Sequence, residues 1–177
     1  MNTLVINLFG GSGIGKSTLS AYLFSELKEI GYDCELVTEF AKDLIWENRK
    51  ETFKDEIYIF AKQNHRMNRL NGKVEVIITD RPLPITNIFN EDNKELCQLC
   101  LNTFNTYNNC NIFLERDVEF QQNGRNETYE EAVKNDEKIY RLLKDNDIEF
   151  MSFKSTHKHN ILYFVIHQIA LNNIKGN

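Results

Sequence analysis

Near the start of the chain, Gly10-Gly11-Ser12-Gly13-Ile14-Gly15-Lys16-Ser17-Thr18 satisfies the pattern GxxxxGK[ST] in full. No other stretch constrains the fold as strongly. The apolar run Thr3–Phe9 (TLVINLF) precedes it with strand character, and Leu19, Leu23, Leu27 and Ile30 follow at helical spacing until Gly31. A strand that curls through glycines into a helix turns successive backbone N–H groups, and the positive end of the helix dipole, toward one point. That point is a seat for phosphate. There Lys16 would reach the β- and γ-phosphates of a nucleoside triphosphate, and the Ser17 hydroxyl would hold Mg²⁺. ATP with Mg²⁺ is the cofactor pair this loop leads us to expect, cradled by Gly10 to Thr18.

The rest of the chain alternates short β-type runs with helical ones, the pattern of a parallel sheet covered by helices. Strands are expected at Cys34–Thr38, Val74–Thr79, Asn111–Leu114 and Ile148–Ser152. Helices are expected near Phe40–Glu47, near Lys54–Asn71, within Asn93–Tyr107, and at Tyr129–Lys144 and Asn160–Asn172. The polar stretch Glu115–Thr128 reads as irregular. No repeat, low-complexity tract or linker divides the sequence, and 177 residues suit one α/β domain with a single sizeable core.

A formal net charge of -5 argues against bulk binding to nucleic acid or anionic membrane. No segment approaches the roughly 20 apolar residues of a membrane span, and the N-terminus carries no basic leader. The protein is therefore expected in the cytoplasm. Cys97 and Cys100 form a CxxC, but they lie in a helix-like stretch with no second half of a zinc set, so buried reduced thiols are the reading, with Cys34 and Cys110.

Ligands of open α/β sheets bind beyond the carboxyl ends of the strands. Three side chains stand there. Asp80 ends the third strand after Val76-Ile77-Ile78-Thr79 and could hold the metal directly or through water. Arg81 beside it could grip phosphate with its planar fork. Glu39 ends the second strand and could accept the proton of an attacking hydroxyl. An acceptor hydroxyl benefits from a base, whereas an acceptor phosphate mainly needs a cation. Glu39 therefore points to a nucleoside-like acceptor and Arg81 to a nucleotide-like one. On the helix after Lys54, Gln63 or Asn64 could read a base and Arg66 could contact sugar or phosphate, with Ile57, Phe60 and Ala61 facing elsewhere; a solvated face is the alternative. Arg116 and Arg125 flank a polar stretch with Gly124 inside it. A lid over residues 116–128 would bring their charge to the transferring phosphoryl group and exclude water; a plain surface loop is the alternative. His157 and His159 read as polar residues at a helix entry.

With these features placed, the stretches LFGGSGIGKST, LVTEFAKDLIWE, YIFAKQNHR, VIITDRPL and GRNETYEEA…D together resemble the NadR-like AAA/kinase family, small P-loop proteins often found in phage genomes. The likeness runs from about Thr3 to Phe153. It implies a kinase-type strand order of 2-3-1-4-5, with helices on both faces, and ATP-dependent phosphoryl transfer to a small nucleoside-like molecule. The adenylyltransferase domain fused to the best-known relatives is not expected within these 177 residues. Three functions remain: a nucleoside or nucleotide kinase, a nucleotide-dependent ATPase or switch acting on a protein partner, and a kinase of a modified base or an end in DNA. A homodimer stays open.

Overall fold

The computed structural model describes residues 2–49, 51–120 and 127–175. The elements, in chain order, are β1 (Leu4–Phe9), α1 (Lys16–Ile30), β2 (Cys34–Val37), α2 (Phe40–Trp46), α3 (Glu56–Asn68), β3 (Val76–Thr79), α4 (Lys94–Phe104), β4 (Asn108–Glu115), α5 (Tyr129–Asp145), β5 (Met151–Lys154) and α6 (Lys158–Lys175), with a 3₁₀ stretch at Leu83–Phe89 between β3 and α4. All five strands run parallel, in the order β2-β3-β1-β4-β5.

The apolar residues explain the layering. Alternate side chains of β1 point to opposite faces, so Leu4, Ile6 and Leu8 meet α1 (Leu19, Leu23, Leu27) and α6 (Ile161, Val165, Ile169) on one side. Val5 and Phe9 meet α3, α4 and α5 on the other. Because β1 is covered on both faces, its whole run is buried. The glycine loop follows this strand, so the phosphate seat hangs from the best-anchored part of the sheet.

Three elements depart from the sequence expectation, each for a visible reason. β4 begins at Asn108, three residues before the expected start at Asn111. Asparagine disfavours strands, but these side-chain amides are all engaged. Asn109 and Asn111 each accept a hydrogen bond from Asn7 on β1, at 2.9 and 3.0 Å, and Asn108 donates to Asn172 at 2.7 Å. β5 starts at Met151, later than the expected Ile148, because the Ile148 N–H first closes the end of α5 on the Leu143 carbonyl at 2.9 Å. In α3 the faces are assigned differently: Ile57 is 60% exposed, whereas Ile59, Phe60, Gln63 and Met67 are buried. Asp55 caps this helix by accepting the Tyr58 N–H at 3.0 Å, which sets its start and its rotation.

All four cysteines are free. Burial pushes the Cys100 and Cys110 thiols up to about 12, in keeping with inert reduced side chains. Among the described residues, no helix is long and apolar enough to cross a membrane, and no group of three or more His, Cys, Asp or Glu side chains is placed to hold a metal.

Candidate active site

The loop after β1 is shaped by three positive-φ glycines, Gly10 (φ 145), Gly13 (φ 74) and Gly15 (φ 98), the last being the residue that opens α1. No side chain caps that helix and its first turn holds no acid, so the protein itself supplies no side-chain acceptor there. Lys16 arches back over the loop, and its Nζ donates to the Gly10 and Gly11 carbonyls at 2.7 Å each. Burial lowers its pKa, while the carboxylates of Glu39, Asp80, Asp136 and Glu127 act in the opposite direction.

Asp80 is almost fully buried, at 4% exposure, and joins three strand ends. Its Oδ2 accepts the Ser17 hydroxyl at 2.8 Å, and its Oδ1 accepts the Glu39 N–H at 3.0 Å. The Glu39 side chain turns to Arg81, whose Nη1 donates to Oε1 at 2.7 Å. The Arg81 guanidinium lies over the Phe89 ring, 5.7 Å from its centroid. Phe89 has no role in the sequence reading; it sits on the 3₁₀ stretch just past the proline pair and remains half exposed. Glu56, in the first turn of α3, also belongs to this neighbourhood: burial raises its carboxyl, and the Arg81 charge opposes the rise. Lys16, Ser17, Glu39, Asp80 and Arg81 thus meet in one crevice.

Gln63 lies behind that crevice. At 2% exposure, its Oε1 accepts the Phe40 N–H at 2.9 Å and its Nε2 donates to Thr79 Oγ1 at 3.4 Å. It ties α3 to the β2–α2 junction that carries Glu39. Arg66 faces a separate groove of about 420 Å³ with His65, Arg69 and Leu36. There it pairs with the Asp43 carboxylate, donates to the Thr38 carbonyl at 3.2 Å and covers the Phe40 ring at 5.0 Å.

Arg116, just past β4, reaches the glycine loop itself. Its Nη2 donates to the Ser12 carbonyl at 2.9 Å, and its Nε to Asp136 Oδ2 at 2.8 Å. Asp136 projects from α5; in the sequence it appears only as the closing acid of the GRNETYEEA…D block, with no role attached. Arg125 and Gly124 fall outside the described residues. On the other side of the loop, a cavity of about 280 Å³ is bounded by Gly13, Thr18, Tyr22, Val118, Ser155 and Lys158. Its far wall is held by Asp117, which accepts the Ser155 hydroxyl at 2.6 Å and the Thr156 N–H at 3.2 Å.

The model of a family described as AAA domain matches residues 5–159, which takes in the loop, both strand-end acids, Arg116 and Asp136. The chain belongs to that family. The sheet order and the flanking helices are those of P-loop kinases, and the similar solved structures bear this out. A structure described as NadR protein in complex with NR superposes with a TM-score of 0.68 at 14% identity, over 91% of this chain and 50% of that one. The chain therefore spans about half the length of that protein. Thymidylate kinase from Ehrlichia chaffeensis gives 0.65 at 16% identity, over 94% of this chain and 100% of that one. Deoxyadenosine kinase from M. mycoides, with products dCMP and a flexible dCDP bound, gives 0.58 at 19%, over 94% and 98%. No curated protein matches the chain. The NadR-like kinase resemblance read from the sequence motifs thus stands, and these likenesses extend to the fold.

Proposed function

We propose that this protein is a kinase that transfers the γ-phosphoryl group of ATP to a hydroxyl of a small nucleoside-type acceptor. The observation that carries the reading is the Glu39 carboxylate. It sits in the crevice shared by Asp80, Ser17 and Lys16, held by Arg81 at 2.7 Å. In the reaction the acceptor oxygen forms a bond to the γ-phosphorus, the bond from that phosphorus to the β–γ bridging oxygen breaks, and ADP leaves. The acceptor proton passes to Glu39. The backbone N–H groups of the Gly10–Thr18 loop and the Lys16 ammonium hold the phosphate chain. Arg116 adds positive charge from the lid side, and Arg125 would add more.

A hydroxyl and a carboxylate are hard oxygen donors, so Ser17 and Asp80, whose oxygens already lie 2.8 Å apart, fit Mg²⁺. The ion, when bound, neutralises charge on the phosphates. The cavity beside Tyr22 and Lys158 has room for the base of the nucleotide.

The crevice favours a nucleoside over a nucleoside monophosphate. Glu39 offers a partly solvated carboxylate to an acceptor hydroxyl, and the Arg81 guanidinium is turned to that carboxylate. The thymidylate kinase likeness keeps the monophosphate as the rival acceptor. Incubation with ATP–Mg²⁺ and a pool of nucleosides, nucleoside monophosphates, nicotinamide riboside and duplex DNA, read by mass spectrometry, tests the proposal. A nucleoside heavier by one phosphoryl group is expected. A phosphorylated monophosphate moves the acceptor contact to Arg81. ADP with nothing phosphorylated replaces the kinase with an ATPase switch.

A further inference from the structure

The contact between α5 and the glycine loop is closer than packing alone requires. A Cβ placed on Gly11 would lie 2.6 Å from the Ala132 carbonyl oxygen, 2.7 Å from Asp136 Oδ1 and 3.3 Å from Arg116 Nη2. Glycine is needed here for the close approach. Into that space Asp136 points Oδ1. Oδ1 accepts the Gly11 N–H at 2.5 Å and Oδ2 accepts Arg116 Nε at 2.8 Å. Arg116 is thereby held on two edges, by Asp136 and by the Ser12 carbonyl. The third, Nη1, is buried and has no hydrogen-bond partner among the described residues. A buried guanidinium nitrogen without an acceptor is costly, and it persists where the surroundings hold it for a ligand.

We infer that Asp136 is a positioning residue, which locks Arg116 against the Gly11–Ser12 backbone and keeps its Nη1 edge for the phosphate chain of the donor. This rests on the kinase reading above. An arginine free in solution surrenders much rotamer freedom when it grips a phosphoryl group. One already fixed by a carboxylate and a carbonyl has surrendered it in advance, and so stabilises developing charge with little reorganisation. Asp136 also joins α5 to the loop, so a displacement of α5 would carry Arg116 with it.

Asp136 could instead serve as a bare counter-charge that offsets Lys16. The variant Asp136→Asn separates the two roles. Its amide oxygen can still accept the Gly11 N–H, but its NH₂ cannot accept from Arg116. We expect kcat to fall on the order of 10- to 100-fold, as for a misplaced group at the reacting centre, with ADP affinity unchanged. The preference for a non-hydrolysable ATP analogue over ADP should shrink in parallel. The double variant with Arg116→Ala should be no slower than Arg116→Ala alone, since both remove one unit. If Asp136→Asn keeps kcat, or binds both nucleotides more tightly, Asp136 is a counter-charge and the inference is overturned; additive losses overturn it equally. Should Asp136→Asn fail to fold, Asp136→Glu keeps the charge but displaces Arg116, and an unchanged kcat in that variant also overturns it. Nucleotide binding needs no acceptor, so the analogue-to-ADP ratio reports on Asp136 even if no nucleoside is phosphorylated.

Discussion

Two arginine–carboxylate pairs border the glycine loop, and they differ in what remains once each pair has formed. Arg116 and Asp136 have side chains 10% and 15% exposed, and both Asp136 oxygens are engaged. Arg81 is as buried, at 8%, but Glu39 keeps 31% exposure and shows one engaged oxygen among the described residues. The first pair is saturated on the acid and open on the arginine. In the second, the arginine makes one side-chain hydrogen bond, from Nη1, and the acid stays partly solvated. An ion pair of this kind can therefore present a cation where the acid is fully occupied, as Asp136 is by Gly11 and Arg116, and a base where the acid keeps a solvated oxygen, as Glu39 does.

The largest effect should come from opening the acceptor-side pair. Glu39→Gln keeps the shape and a hydrogen bond to Arg81 but removes the base, so kcat should fall by roughly 10²–10⁴-fold. The melting temperature should stay close to that of the wild type, because the side chain is partly solvated. A near-normal kcat would remove Glu39 as base and leave the comparison with one working pair.

Next in size is Gly11→Ala, aimed at the donor-side pair. Its methyl would strike the Ala132 carbonyl and the Asp136 carboxylate, so α5 must back away. Overpacking of this kind costs about 1–3 kcal/mol of stability, measurable by denaturant unfolding, and the Arg116 geometry should be lost with it. Wild-type stability and turnover together would show that α5 is not pressed on the loop.

How much of this could be read beforehand follows from the distance over which each feature is specified. The glycine loop, Lys16 and Ser17 are contiguous, and Asp80 and Glu39 each end a β-type run, so local pattern sufficed. The strand order came with the family resemblance. Asp136 is another matter: its contact with Gly11 spans 125 residues, and it sits among Glu130, Glu131, Glu137 and Lys138, where it looks like one more solvated charge. Gln63, read as a base contact or a solvated face, is not solvated for a similar reason. A polar side chain at a helical position reads as surface, yet here the Phe40 N–H and the Thr79 hydroxyl need a buried partner and Gln63 supplies it. Asn108 and Asn109 escaped a strand assignment because their compensating bonds come from α6 and β1.

Arg81→Ala sharpens the acceptor side further. With a nucleoside acceptor, Arg81 acts by aiming Glu39, so kcat should drop about tenfold, equivalent to ~1.4 kcal/mol of barrier, with acceptor KM little changed. A rise in KM at constant kcat would instead mean that the guanidinium binds an acceptor phosphate, and the Glu39 pair would be a resting arrangement that the substrate breaks.

The smallest effect is expected at a third arginine–carboxylate pair, which serves as the control for the other two. Arg66 and Asp43 are 28% and 42% exposed, and their groove opens beside Leu36 and His65, apart from the crevice that holds Asp80. A half-solvated pair contributes ~0–1 kcal/mol, to which Arg66 adds its cover over the Phe40 ring and its bond to the Thr38 carbonyl. Arg66→Ala should therefore lower stability by about 1 kcal/mol while acceptor kcat/KM stays within about twofold, well under the tenfold that 1.4 kcal/mol represents. Arg66 also packs on the residue that follows Glu39, so the result is informative in either direction. A loss confined to stability would mean that the β2–α2 junction is held mainly by Gln63 and Asp80. A several-fold rise in acceptor KM would mean that the acceptor extends past Phe40 into the Arg66 groove, as the spacing on α3 first suggested.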